Sequence, residues 1–241
     1  MFLDARANYL AIATSYRAID QNGKVLYTKV KPATGDDNRW MLRFRQCIEH
    51  PSVCFRAAAQ DGTPLRYEPE FMVGQDYEFF TRLSQFGKIG TLEEVLFSYR
   101  FHGRNITKTR RPELKKNHRM FAERQLAWDL PEDVAEGLAP VLDLYLGDRL
   151  PNGPLVQNAF AGMAAMLAHD RTERPQSNVW AKRQSAGVLA DGILGRGKFR
   201  QRPWAIIPFV VYGWWLIPAL FARVLEIRNL LPKGLDSRRS P

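Results

Sequence analysis

Cysteine and histidine are scarce in this chain. Two cysteines, Cys47 and Cys54, and four histidines occur among its 241 residues. Two cysteines cannot build the disulfide framework of a small secreted domain, and without further ligands nearby they make a poor zinc site. We therefore expect two buried or partly buried thiols in a reducing compartment.

Other classes are excluded by what is missing. The first ten residues have neither a charged lead nor an apolar run, so no signal peptide is expected. The formal net charge of +10 would suit nucleic acid. No zinc finger, RNP or helix-turn-helix signature accompanies that charge, so nucleic acid is not an expected partner. Hydrophobic residues make up 45% of the chain, which is enough for a folded core.

The first half of the chain predicts strands and short helices in alternation. Asn22-Gly23 is a hairpin signal, because both central positions of a two-residue turn favour positive φ. Residues 32–37 are expected to form a loop. Apolar spacing predicts the other elements: strands over 9–19, 24–30, 52–56 and 95–102, and helices over 38–46 and 76–86.

The second half predicts helices. They are expected over 113–128, 131–146 and 155–169, with an exposed linker at 171–178. The fold class is therefore α/β followed by an α-helical C-terminal region. We expect three parts: residues 1–111, a helical region over 112–178, and a basic and apolar tail over 179–241.

Three segments of the first part carry a resemblance to a known family. They are residues 50–56 (HPSVCFR), 74–83 (GQDYEFFTRL) and 96–102 (LFSYRFH). In this order and spacing they are similar to an HPSV-type strand, an (E/Q)DY-x-x-(W/F)-x-R-L helix start and a YR-x-H strand of the family 2 glycosyltransferases. The hairpin at Asn22-Gly23 fits a family feature upstream of them. The resemblance implies a GT-A, Rossmann-like fold.

Asp76 is the catalytic residue that the resemblance implies. In the family, the aspartate at this position is the general base of an inverting transfer, taking the proton from an acceptor hydroxyl. A carboxylate at a helix N-terminus is stabilised in its charged form by the free N–H groups and the helix dipole. The alternative interpretation of Asp76 is that it only caps the helix.

The resemblance also implies three substrate-binding residues, Gln75, His50 and Arg100. Pro51 restricts His50 to extended backbone, where its ring either lines the acceptor side of the cleft or has a structural role. Arg100 shares a strand face with His102. It is expected either to meet phosphate or to form a surface salt bridge.

His102 is the candidate metal ligand. In the resemblance it lies near the diphosphate and a divalent Mn or Mg ion, and neutral imidazole can ligate such an ion. An exposed histidine at a strand end is the alternative. The other ligands are expected from a DxD motif, which this sequence lacks. Asp36-Asp37 follows the hairpin instead of preceding it and is therefore not that motif.

The family's nucleotide-binding half, which precedes the DxD motif, has no counterpart in these 241 residues. We therefore expect a partial GT-A fold without its N-terminal half. The chain as written is expected to be truncated and inactive, with Met1 either an internal methionine or the start of a broken gene.

Residues 204–222 (WAIIPFVVYGWWLIPALFA) contain no charge and are flanked by basic residues on both sides. As a helix they would span about 28 Å, close to a bilayer core. Pro208, Gly213 and Pro218 argue against one straight helix. We expect a broken segment held at the cytoplasmic face of the cell membrane. A buried helix of the globular domain or a dimer contact is the alternative.

Two functions remain as hypotheses. The first is inverting transfer of a sugar from a nucleotide-diphosphate sugar to a cell-envelope polysaccharide or lipid-linked acceptor. The second is a non-catalytic remnant that binds an acceptor, a membrane or a partner protein.

Overall fold

A computed structural model describes residues 2–31, 33–101, 110–173 and 178–194, with five residues between 210 and 217. The chain divides into two compact units, one ending at Phe121 and one beginning at Ala122. The first unit is mixed α/β and the second is helical. The α/β class expected from the sequence is confirmed at this level.

The centre of the first unit is strand β1, Tyr9–Ile19. Among the described residues it belongs to a mixed sheet of four strands. Strand β4, Lys88–Arg100, pairs parallel with β1 along its length. The other edge of β1 is shared by β3, Cys54–Phe55, and β2, Val25–Lys29, both antiparallel. Because parallel strands need a crossover connection, the chain between β1 and β4 is a long crossover, and it carries His50, Gln75 and Asp76.

The hairpin between β1 and β2 is where the sequence predicts it, but its turn differs. Gly23 has φ 86°, and no residue other than glycine has positive φ among those described. Asn22 is therefore not in the left-handed region that a two-residue turn requires. Asp20 Oδ1 accepts from the N–H groups of Asn22 (2.8 Å) and Lys24 (2.9 Å). This carboxylate stabilises a longer loop with a single left-handed glycine.

The last strand begins earlier than predicted. The sequence predicts a strand over 95–102, whereas β4 already pairs with β1 at Lys88. Ile89, Gly90 and Thr91 are all buried. A strand that is buried on both faces does not alternate between apolar and polar residues, so its first half has no period-2 signal.

Helix α1 runs over Gly35–Leu42, three residues earlier than predicted. Thr34 and Asp37 form a reciprocal capping box at its start, with the Asp37 N–H donating to Thr34 Oγ1 at 3.2 Å. The expected loop at 32–37 therefore ends in a helix cap. Asn38 Nδ2 donates to the Ile89 carbonyl at 2.8 Å and attaches α1 to β4.

Residues 50–56, predicted as a strand from Ser52, are divided between two elements. A single 3-10 turn, His50–Ser52, precedes the two residues of β3, so His50 does not have the extended backbone expected before Pro51. Cys54, the first residue of β3, is exposed and not buried as expected. Pro51 lies in the first turn of that 3-10 helix, where the missing N–H costs no hydrogen bond.

Helix α2, Gln75–Phe86, confirms the predicted helix to within one residue at its start. Its buried face consists mainly of aromatic and aliphatic residues, and Tyr77 donates to the Leu42 carbonyl at 2.6 Å. This face, with β1 and α1, forms the core of the first unit. Its fully buried members include Leu10, Leu42, Phe44, Tyr77, Phe79, Phe80 and Leu83.

Helix α3, Arg111–Asp129, begins in the first unit and ends in the second. The predicted helix over 131–146 is two helices, because the chain bends at Gly137. The predicted linker at 171–178 is helical up to Glu173 and again from Asn178, and residues 174–177 lie outside the described ranges. The elements are α4 (Glu132–Glu136), α5 (Ala139–Leu146), α6 (Gly153–Glu173) and α7 (Asn178–Leu194).

The predicted membrane segment at 204–222 lies mostly outside the described residues. Of its described members, Leu216 is fully buried, and Gly213 lies against the ring of Phe160. None of the helices in the described ranges has the length and apolarity needed to cross a bilayer.

Candidate functional site

Asp76 is the second residue of α2, so it is not the helix N-cap. The cap is Gly74, which has φ 77° and ψ 15° and provides no side chain to bond the first N–H groups of the helix. Asp76 itself is half-buried, and its Oδ1 accepts from the Tyr77 N–H at 2.9 Å. Asp76 therefore does not occupy the N-cap position, but its carboxylate does bond one of the free N–H groups of the first turn, as the capping interpretation expects. Its carboxylate lies in the positive field of the helix N-terminus.

His50 is bonded to Tyr67, a side chain on which the charge of Asp76 acts. His50 Nε2 and Tyr67 Oη lie 2.8 Å apart. Burial, followed by the negative charge of Asp76, raises the pKa of Tyr67. The phenol therefore stays protonated and can donate a hydrogen bond at neutral pH. Tyr67 is therefore bonded to the imidazole of His50 and lies within range of the charge of Asp76.

Packing fixes the ring of Tyr67. It stacks on Phe79 of α2 with ring centroids 4.3 Å apart and an angle of 28° between the planes. The His50 ring meets Phe80 edge-on, with centroids 6.0 Å apart. Such offset and edge-to-face pairs restrict ring orientation. The phenol of Tyr67 and the imidazole of His50 thus pack against aromatic side chains of α2.

The backbone before and after His50 is attached to β1. Ser52 Oγ accepts from the Thr14 N–H at 3.1 Å and donates to the Glu49 carbonyl at 2.8 Å. These bonds occupy the edge of β1 between the segments that pair with β2 and β3. The position of His50 is therefore set by the sheet.

The segment that carries Tyr67 is attached to α2 by Arg82. Its guanidinium makes a bidentate pair with the buried Glu78, at 3.0 and 3.1 Å. A further N–H donates to the Arg66 carbonyl at 2.6 Å. Hydrogen bonding to Glu78 raises the pKa of Arg82 further above its ordinary value. The fork geometry of arginine suits this double role.

Tyr67 was not predicted as a site residue. It lies in the turn-rich segment 62–69, where Gly62 and Pro64 dominate the pattern. The one available signal is an aromatic residue in a segment otherwise composed of turn-forming and polar residues. Gln75, which was predicted, is exposed at the first position of α2 next to Asp76.

Arg100 lies elsewhere. Its Nη1 donates to the carbonyls of Asp20 (3.1 Å) and Gln21 (2.9 Å), at the exposed end of the hairpin. Arg100 is paired with Ile19, whereas Ser52 is bonded to Thr14. Those two positions are about 17 Å apart along β1. Arg100 is therefore not brought together with His50.

His102, the candidate metal ligand, lies outside the described residues. Within the ranges that are described, no group of three or more His, Cys, Asp or Glu side chains could hold a metal ion. Asp36 and Asp37, which the sequence order excludes from the metal motif, have other partners. Asp36 pairs with Lys88 at 2.9 Å, and Asp37 caps α1.

Comparison with known proteins adds no family. No protein-family model matches the chain, and no curated protein is significantly similar to it.

The arrangement can position and deprotonate a hydroxyl group. The half-buried carboxylate of Asp76 can accept a proton, and the phenol of Tyr67 and the imidazole of His50 can each donate a hydrogen bond to a ligand. All three groups are partly accessible to solvent, so a polar ligand can reach them.

Proposed function

We propose that residues 1–111 are the acceptor-binding half of a family 2 glycosyltransferase with a GT-A fold. The reaction is the inverting transfer of a sugar from a nucleotide-diphosphate sugar to a cell-envelope polysaccharide or lipid-linked acceptor. The observation that carries the proposal is the position of Asp76. It lies at the N-terminus of the helix that leads into β4, and its charge acts on Tyr67, which is bonded to His50.

In the proposed step, Asp76 takes the proton of the acceptor hydroxyl. The freed electron pair forms the bond from the acceptor oxygen to the anomeric carbon, and the bond from that carbon to the diphosphate breaks. Attack opposite to the leaving diphosphate inverts the anomeric centre. Tyr67 and His50 hold the acceptor. Removal of the acceptor proton by a general base such as Asp76 contributes a factor of about 10²–10⁴ to the rate.

The described residues provide no ligand set for the divalent metal that the resemblance implies. When bound, that ion would neutralise charge on the diphosphate. The chain alone is proposed to bind the acceptor without transferring a sugar, because the DxD motif that the resemblance implies is not among these 241 residues. The non-catalytic hypothesis predicts the same behaviour for the chain alone, but differs once a donor half is supplied.

The test joins this chain to the nucleotide-binding half of a family 2 glycosyltransferase. Labelled nucleotide sugars, manganese and a membrane lipid extract are supplied. Transfer is expected from the joined protein, and Asp76→Asn should lower turnover by about 10²–10⁴. Folding should change little, since the Asn side chain has the same shape and can still accept from the Tyr77 N–H.

Asp133→Asn is the matched control, because Asp133 is also an acidic residue in the first turn of a helix but is exposed in the second unit. It should leave transfer unchanged. Turnover of Asp76→Asn within about threefold of the parent would contradict the assignment of Asp76. The proposed function itself would be contradicted if the joined protein neither transferred a sugar nor retained any lipid-linked saccharide.

A further inference from the structure

A second group of charged side chains lies around Glu49, the residue before His50. Lys29 is opposite Tyr16 in the pairing of β1 and β2, with its Nζ 5.9 Å from the centre of the Tyr16 ring. The Lys31 N–H donates to Ser15 Oγ at 3.0 Å, which fixes the backbone just after β2. Lys31 Nζ then reaches Glu49 Oε1 at 3.1 Å. Both lysines are half-buried.

Arg45 completes this group. Its N–H donates to the Met41 carbonyl at 3.0 Å, in the turn that follows α1. Its side chain is half-buried, and its positive charge helps to lower the pKa of Lys29, so the guanidinium lies within range of that ammonium group. We call Lys29, Lys31 and Arg45, with the one carboxylate of Glu49, the basic cluster.

The cluster has an unbalanced charge. Below about pH 7, where Lys29 is also protonated, three cations face one carboxylate, so the formal charge of the cluster is about +2. Its side chains are half-buried, which reduces screening by water. Burial, and then the charges of Lys31 and Arg45, lower the pKa of Lys29 to about 7. Burial raises the pKa of Cys47 beside it to about 11, so that thiol stays neutral. The buried phenol of Tyr16 has a raised pKa and is neutral too.

A bound anion would remove this imbalance. A phosphate ester with two negative charges matches the net charge of the cluster, and arginine and lysine are the usual phosphate ligands. Nucleic acid is a poorer match, because binding a strand needs cations spaced along a groove. The three cations of the cluster instead lie together, between β2 and the turn after α1.

We propose that Lys29, Lys31 and Arg45 form a binding site for a phosphate monoester or a terminal phosphate group. Glu49 adjoins His50 in the chain, so the cluster lies next to the backbone that carries the imidazole bonded to Tyr67. The proposal does not depend on sugar transfer. The phosphate could belong to a soluble ester or to a lipid headgroup, which share this chemistry.

The first experiment titrates the full chain with inorganic phosphate in low-salt buffer near neutral pH, followed by calorimetry. Saturable binding is expected. The double variant Lys31→Gln/Arg45→Gln should weaken it by about tenfold or more, since each charge-assisted bond to phosphate contributes substantially. Lys24→Gln, an exposed lysine in the hairpin loop, should leave the affinity unchanged.

Glu49→Gln provides an independent test that does not depend on whether the double variant folds. It removes the carboxylate that competes with phosphate for Lys31, so phosphate should bind more tightly. A purely structural role of the Lys31–Glu49 pair predicts lower stability and no gain in affinity. Circular dichroism shows whether each variant is folded.

A second arm uses vesicles of phosphatidylcholine with or without phosphatidic acid. Greater flotation of the Lys24→Gln protein than of the double variant, only on phosphatidic acid, identifies a lipid headgroup as the source. Binding confined to free phosphate identifies a soluble ester. Equal behaviour of both variants in both arms, or no saturable binding by the parent, overturns the proposal. No arm contains a sugar donor, so this outcome is independent of the proposed transfer.

Discussion

At the scale of single residues, Tyr67 links the features that the sequence predicts. Asp76 and His50 could be selected because each lies in a motif with recognisable spacing. The bond from His50 to Tyr67 could not be predicted, since Tyr67 lies in a turn-rich segment that Arg82 attaches to α2. Arg100 shows the converse, because its motif position is clear but its guanidinium is bonded to the hairpin carbonyls. The position of a residue in a sequence motif therefore does not predict which groups its side chain bonds.

Lys29 gives a pH-dependent prediction at this scale. Its pKa is lowered from 10.5 to about 7, with burial as the largest cause. Below about pH 7 both the folded and the unfolded chain carry this proton, and the folded state bears the full cost of the buried charge. Between about pH 7 and 10.5 only the unfolded chain is protonated, so the contribution of Lys29 to stability rises with pH.

Lys29→Met keeps the aliphatic stem over Tyr16 and removes the charge. It should raise the urea midpoint at about pH 6 and raise it less at about pH 9. Comparing each variant with the parent at the same pH cancels the titration of Tyr16 and Cys47. Lys24→Met, in the exposed hairpin loop, should show no such difference. A gain for Lys29→Met that is the same at both pH values would refute the lowered pKa.

At the scale of elements, strand β1 and helix α2 are predicted closely because each has one strong local signal. β1 has a long apolar run, and α2 has aromatic residues at helical spacing before Gly87. The start of β4 and the division into α4 and α5 are missed because both depend on contacts with distant segments. Ile89 to Thr91 are buried by pairing with β1, and Gly137 faces Gly162 of α6.

The contact between Gly137 and Gly162 gives the element-scale prediction. A Cβ at residue 162 would overlap the carbonyl oxygen of Gly137. The position of a Cβ is fixed by its own backbone and the carbonyl oxygen is a backbone atom, so neither can rotate away. Alanine normally stabilises a helix interior relative to glycine by about 1 kcal/mol. Here Gly162→Ala should instead destabilise the second unit by about 1–3 kcal/mol, as overpacking does.

The control for this substitution is Gly153→Ala, at the first residue of the same helix. A Cβ there would meet no atom within 4 Å. It should leave the thermal midpoint unchanged or raise it slightly. Equal midpoints for the two variants would show that α6 does not approach the turn between α4 and α5 as closely as the structure indicates.

At the scale of the whole molecule, the described chain is two units of different class, and the candidate site and the basic cluster both belong to the first. The change of character after residue 111 predicts that a helical region follows. It does not predict that α3 begins within the first unit. The sequence pattern of its first three turns predicts a helix but does not show which elements that helix packs against. Phe121, fully buried in α3, meets Phe71 edge-on at 5.0 Å.

The last prediction concerns the uncharged run 204–222 and its basic flanks. Each lysine or arginine near an anionic membrane contributes about 1 kcal/mol of attraction. The full chain is therefore expected to float with vesicles that contain anionic lipid. A chain ending at Lys198 should float less. Because Leu216 is buried, that truncation also removes packed side chains, so a second variant is needed.

Replacing Arg196, Lys198, Arg200 and Arg202 by glutamine removes four charges and leaves the apolar run intact. If the tail is held at the membrane surface, flotation on anionic vesicles should fall in this variant and the parent should lose its flotation at high salt, because screening weakens surface attraction. If the run is instead a buried part of the second unit, the variant and the parent should float alike while the truncated chain loses thermal stability. The combination of unchanged flotation and lowered stability would therefore decide against membrane association.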